Sequence, residues 1–182
     1  MTDQLLETHA DGIATLTMNR PDARNALTAE MLDALGEAVA RLALDASVRC
    51  VVLTGTGAAF CAGGDVKGFV SRNDGGATEP PSLEQATANL RRGMEASKWL
   101  NSMAKPTLAV IPGPAAGAGF SLALACDMRI CASTAKLTTA FSKVGVSGDY
   151  GGSWFLTQIV GAQKARELFF TADVITGDEA LA

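Results

Sequence analysis

Twice in this chain an apolar run gives way to glycine and alanine and closes on an aspartate: AFCAGGD at 59–65 and GPAAGAGFSLALACD at 113–127. Each follows a short strand-like segment, CVVLTG and TLAVI. A packed core gains nothing from bare backbone, and each ordered glycine costs about 0.5–1 kcal/mol against alanine. Such runs belong where something approaches main-chain N–H groups, or where a helix packs closely on a strand. Both readings require strands that end in tight small-residue turns and lead straight into helices.

The rest of the chain fits that rhythm. LLETH-ADG-IATLTM reads as a hairpin turning at Asp11-Gly12, with Ala14, Leu16 and Met18 alternating against Thr15 and Thr17. After the loop NRPDARNAL, Thr28 is placed to cap a helix with the stripe Met31, Leu35, Val39, Leu42. DVKGFV reads as a helix start, and residues 71–82, rich in Gly and Pro, as a mobile surface loop. Ser82 and Gln85 form a capping box for a long helix through Leu90, Met94 and Met103. MRICA and AKLTT are strand-like, and SWFLTQIV and QKARELFF read as two helices after the loop FSKVGVSGDYGG. The order predicts an α/β domain of repeated strand-strand-helix units.

Length and charge narrow the function. A chain of 182 residues, 48% hydrophobic, favours one domain spanning 1–182. Its net charge of −4 argues against nucleic acid as a partner, while leaving room for a small anionic ligand on a local basic rim. MTDQLLETHADG lacks the basic start and apolar run of a signal peptide, and no stretch of about 18 apolar residues suggests a membrane span. Four cysteines without a CxxC pair, and one histidine, His9, give no metal-site pattern. They read as thiols in a reducing cytoplasm, with His9 an edge-strand residue.

Three chemistries compete for the glycine runs. A dinucleotide fingerprint would place glycine where Phe60 stands after Gly55 and Gly57, and no Walker sequence is present. GFSLA at 119–123 imitates a nucleophile elbow around Ser121, but a histidine base is lacking beyond His9, which leaves a Ser-Lys variant. The third is an oxyanion hole: two helix N-termini offer unpaired N–H donors to one carbonyl oxygen, each worth on the order of 3 kcal/mol. Close packing of helix on strand remains the alternative that needs no ligand.

NRPDARNALT, GTGAAFCAGGDVKGF, KPTLAVIPGPAAGAGFSLALACDMRI and FSKVGVSGDYGGSW, in this order, resemble the enoyl-CoA hydratase/isomerase (crotonase) superfamily from about residue 5 onward. The resemblance implies a spiral of strand-strand-helix turns, assembled as a trimer or a dimer of trimers. It implies an acyl-CoA thioester partner whose enolate sits between two N–H groups, here those of Gly64 and Ala118. CoA is then part of the substrate and no separate cofactor is implied. Its adenine and phosphates would lie near Arg24, Ala26, Ala62 and the turn Asp65, Val66, Lys67. A guanidinium matches phosphate oxygens in a fork, which suits Arg24.

The departures from the family pattern bear on the reaction. Hydratases of this family hold water between two glutamates, and by position this chain has Ser121 and Phe141 there. Asp149, in VSGDYGG, matches the acid/base aspartate of members that isomerise double bonds, and GDYGGSW looks like the ring-epoxide isomerase branch. The resemblance thus favours an isomerase with one aspartate, with Phe141 as an apolar wall. A hydratase, or a CoA-ester binding protein without turnover, stays open, and so does Asp149 as a mere helix cap. Asp65 suits a brace for the glycine run, Asp127 a structural role, and Asp74, Glu79 and Glu84 solvated positions. TGDEALA resembles the family's T-G-x-E-A turn, and the C-terminal trimerisation helices that follow it are expected to be absent from this chain.

Overall fold

The computed structural model describes residues 2–65 and 81–182. The expected helix start at DVKGFV, most of the loop after it, and Val66, Lys67, Asp74 and Glu79 lie outside the described residues. A larger sheet has the order β1-β2-β3-β4-β6: β1 (Leu5–Ala10), β2 (Ile13–Met18), β3 (Cys50–Gly55), β4 (Thr107–Ile111) and β6 (Met128–Cys131). Only β1 and β2 are antiparallel, in the hairpin register Leu5 to Met18 through Ala10 to Ile13; the other pairs are parallel. Alternation gives the expected inward face, with Ala14, Leu16 and Met18 fully buried.

A smaller sheet holds β5 (Ala115–Ala116), β7 (Lys136–Thr138) and β8 (Ile175–Thr176), in that order. Two isolated parallel bridges extend it, Leu27 to Gly64 and Cys61 to Ala115. Successive turns of the chain therefore each place one segment in the large sheet and one in the small: β2 with Leu27, β3 with 61–64, β4 with β5, β6 with β7. Helices close the turns: α1 (Ala29–Leu44), α2 (Leu83–Ser102), α3 (Ala118–Ala125) and α4 (Gly152–Thr171), with a short α5 (Gly177–Leu181). This is the spiral that the resemblance implied, built from the strand-strand-helix units that the order predicted, with α1 packed on α2, α2 on α3 and α3 on α4.

The local signals act as read. Thr28 accepts from the Met31 N–H, and Ser82 and Gln85 close their box at the start of α2. Met103 is the residue that caps α2, and Leu90 stands half exposed rather than on the core stripe. The two helices expected after the Asp149 loop form α4, broken at Gly161 by non-helical backbone (φ 77°, ψ 162°). The T-G-x-E-A turn is the helix α5, with Thr176 and Glu179 in a capping box. Asp127 is structural: its Oδ2 accepts from the N–H and hydroxyl of Thr107, tying β4 to the end of α3.

Every residue of α3 is buried, as an all-apolar helix must be. Gly119 lets it come this close: a Cβ there would stand 2.5–2.6 Å from the Cys61 carbonyl, Cβ and Sγ. Gly36 in α1 is the contrast, its nearest neighbour being the Glu95 Cβ at 3.9 Å. Gly119→Ala is expected to destabilise the protein by about 2 kcal/mol or more through overpacking, and Gly36→Ala to stabilise it by up to about 1 kcal/mol. Urea midpoints of the two variants check the contrast, and a tolerated Gly119→Ala would refute the close approach.

Candidate active site

The two small-residue runs meet. Ala116 N–H donates to the Cys61 carbonyl (2.9 Å), while Phe60 and Cys61 N–H both donate to the Pro114 carbonyl (3.0 and 3.2 Å). Gly63, at φ 91°, occupies a conformation that side chains rarely adopt, and a Cβ there would stand 2.8 Å from Ala116 O and 3.6 Å from Ala118 N. The turn ending β3 and the N-terminus of α3 are thus in backbone contact.

Two N–H groups are left over. Leu27 N–H donates to Gly63 O (2.8 Å) and Asp65 N–H to Leu27 O (3.2 Å), so the bridge skips Gly64 and turns its N–H away. No acceptor among the described residues takes it. Ala118 is the first helical residue after Gly117 (φ 51°), so its N–H has no intrahelical acceptor. Among the described residues it too is unpaired.

The loop of Asp149 reaches α3 through Gly152. Gly152, the first residue of α4, lies directly on the Ser121 hydroxyl, which itself donates to Gly117 O (3.2 Å). Phe141 is buried and stacks on Phe169 (centroids 6.0 Å, planes 7° apart). The Phe141 ring edge stands 3.8 Å from where a Gly117 Cβ would be, and Phe169 lies 2.6 Å from one on Gly148. An aromatic wall therefore runs from the Gly117–Ala118 turn to the residue before Asp149.

The Asp149 carboxylate is not a helix cap. Gly151 caps α4 without a side-chain bond, and Asp149 contributes only its carbonyl, accepting from Gly152 N–H at 3.0 Å. Its Oδ1 is buried with no hydrogen-bond partner. Burial, opposed weakly by its own main-chain N–H, pushes the carboxyl up to about 6. Ser121, 1% exposed and bonded to Gly117 O, and Phe141 place no second carboxylate beside it.

The residues matched to CoA binding sit on the next turn. Ala62 N–H donates to Arg24 O (2.9 Å), so Arg24 and Ala62 are adjacent and both exposed, with Ala26 buried behind them. The Arg24 guanidinium meets no acceptor among the described residues. Asp65 makes an ion pair with Arg20 (3.2 Å), whose Nη1 also donates to Ala26 O (2.6 Å). Arg20 and Asn25 were not singled out from the sequence. Asn25 is fully buried, donating to Thr56 O (3.0 Å) and Ala59 O (2.9 Å) and accepting from Arg20 N–H (2.8 Å). It pins the loop NRPDARNAL to the turn after β3. It adopts a positive φ (57°), a region that Asn tolerates better than most residues.

The family model described as Enoyl-CoA hydratase/isomerase matches residues 8–182. The Bacillus subtilis (strain 168) protein YngF, which carries an enoyl-CoA hydratase/isomerase name, is 38% identical over 182 residues, covering 99% of this chain and 66% of its own length. The 1,2-epoxyphenylacetyl-CoA isomerase of Escherichia coli (strain K12) is 34% identical over 180 residues, covering 99% and 67%. A Thermobifida fusca YX protein solved in complex with CoA superposes with a TM-score of 0.88 at 35% identity, covering 98% of this chain and 68% of that one. The chain belongs to the enoyl-CoA hydratase/isomerase family. It spans about two thirds of the length of the curated relatives it matches. Among the described residues no helix is long and apolar enough to cross a membrane.

A raised carboxyl carries a stability signature. Asp149 titrates near 3.8 when unfolded and at about 6 when folded, so between those values the folded protein binds more protons. Its contribution to stability therefore falls as pH rises from about 4 to about 6. Asp149→Asn is expected to stabilise the protein at about pH 7.5 by about 1 kcal/mol, partial exposure screening the rest. The gain should vanish near pH 4, and urea unfolding at both values measures it. No gain at the higher pH would contradict the desolvated carboxylate.

Proposed function

We propose that this chain carries the active site of an enoyl-CoA isomerase, with Gly64 and Ala118 N–H groups as the oxyanion hole and Asp149 as the acid/base. The observation that carries this reading is the buried, unpartnered Oδ1 of Asp149, on the loop leading into α4, whose first residue packs on Ser121 about one turn after the unpaired Ala118 N–H. A carboxyl near 6 is mostly ionised at neutral pH, yet basic enough to accept a proton. It would take the proton from the carbon next to the thioester. The electron pair moves to the thioester oxygen, held by the two N–H groups, and the same carboxyl returns the proton two carbons further on. The double bond shifts and no water is added.

One carboxyl suffices for this cycle, and the neutral Ser121 and Phe141 support it over hydration. An isomerase of an epoxide-bearing acyl-CoA fits the same groups, and the likeness to the Escherichia coli 1,2-epoxyphenylacetyl-CoA isomerase supports it. Arg24, Ala26 and Ala62, with Asp65, Val66 and Lys67, would hold the CoA moiety, an unpaired guanidinium suiting its phosphates. Large apolar side chains exposed late in the chain, Phe170 and Leu181 among them, support assembly as a homotrimer or hexamer. Light scattering at micromolar concentration tests that, and a clean monomer would refute it.

Asp149→Asn should lower turnover of 3-enoyl-CoA esters about 100-fold or more, while melting no lower than the parent. The parent's kcat/KM should rise with pH through about 6 as the carboxyl ionises. Near-full activity in Asp149→Asn would remove Asp149 from the chemistry. Consumption of 2-enoyl-CoA with release of a hydroxyacyl-CoA, and no action on 3-enoyl esters, would establish a hydratase instead.

A further inference from the structure

The loop that carries Asp149 has little to hold it in place. It contains Gly145, Gly148 and Gly151, and Val144 and Val146 point to solvent. Tyr150 is the exception. Its backbone adopts φ 51°, unusual for a bulky residue, and its side chain is 7% exposed. The ring reaches across to α2 and ends over Gly93. A Cβ on Gly93 would stand 2.9 Å from the Tyr150 hydroxyl and 3.6 Å from Cζ, beside the Leu32 Cδ1. Gly93 is also where α2 turns from exposed to buried. A glycine in a helix interior costs about 1 kcal/mol against alanine, and here the notch it leaves is filled by one side chain.

We propose that Tyr150, seated in the Gly93 notch of α2, is the positioning residue that aims the Asp149 carboxylate. The planar peptide joining the two residues ties the Asp149 backbone to the anchored Tyr150. Gly148, pressed beneath Phe169, fixes the other side. The carboxylate is thereby held between two anchors and kept from turning out to water. The Tyr150 phenol, raised chiefly by burial, then by the charge of Asp149 and then by Cys61, is the titratable group that senses this carboxylate. The hydroxyl meets no acceptor among the described residues, so the ring and its fit, rather than a hydrogen bond, do the positioning.

The inference rests on Asp149 acting as the base, and a double-mutant cycle with trans-3-hexenoyl-CoA tests both. Gly93→Ala puts a methyl against the hydroxyl and displaces the ring. It should lower kcat roughly 10-fold or more, since small misplacements of a catalytic group cost this much, with KM changed much less. The acid limb of its pH profile should move below about 6, because a displaced carboxylate gains water. Tyr150→Phe keeps the ring and should keep most turnover. In the double variant, loss of the hydroxyl makes room for the methyl, so most of the activity and the limb should return.

Asp149→Asn is measured alongside. Loss of turnover there, with normal kcat and pH limb in Gly93→Ala, overturns the positioning role alone. Full activity in Asp149→Asn overturns the base assignment and this inference with it. A loss in Gly93→Ala that Tyr150→Phe does not restore also overturns it. If Gly93→Ala does not fold, Tyr150→Leu against Tyr150→Phe carries the same comparison: the leucine variant should lose turnover and shift the limb, and equal behaviour of the two refutes the proposal.

Discussion

The structure turns on one main-chain contact, the clip that joins residues 60–61 to residues 114–116. Three N–H groups and two carbonyls hold the turn after β3 and the turn into α3 at ladder distance, and a Cβ on Gly63 or Gly119 would stand within 3 Å of the facing turn. From that follow Gly63 under the Ala116 carbonyl, Gly119 against Cys61, and a helix α3 that starts beside the preceding turn of the spiral. The same clip leaves two N–H donors unspent. Gly64 is skipped by its own bridge, and Ala118 is too early in its helix to find an acceptor. Ala118 is buried, and a buried unpaired donor costs about 1–3 kcal/mol, a cost that an anionic oxygen bound there would relieve.

Much of this was legible in the sequence because it is local. Hairpin, caps and glycine runs are short-range signals, and their spacing set the strand-strand-helix rhythm without reference to distant residues. What was not legible depends on which residues the spiral brings together. Asn25 and Arg20 read as ordinary loop residues, yet Asn25 spans from Arg20 to Ala59 and fixes the loop beside the turn after β3. Asp65 was expected as a brace, and its ion-pair partner Arg20 lies 45 residues away, beyond the reach of any local pattern. For Asp149 the two roles, cap or free carboxylate, are equally consistent with the spacing before WFL. Only the position of Gly151 as the actual cap separates them.

The second half of the site is built by aromatic rings rather than by charge. Phe169 packs on Gly148 and stacks on Phe141, and Tyr150 is buried on the other side of Asp149, whose Oδ1 is buried without a partner. The result is a carboxyl raised chiefly by desolvation, with no charged neighbour among the described residues to settle it. Ser121, sealed under Gly152, and Phe141 leave the surroundings neutral. The arrangement trades stability at neutral pH for basicity at a single group, a trade that active sites commonly make.

The central claim is that Gly64 and Ala118 grip one oxygen. A crystal structure of the protein with acetoacetyl-CoA tests it most directly. The account predicts the thioester oxygen within about 3 Å of both main-chain nitrogens. An oxygen bound to neither nitrogen, or a thioester lodged in a cleft that only one of them faces, would contradict it.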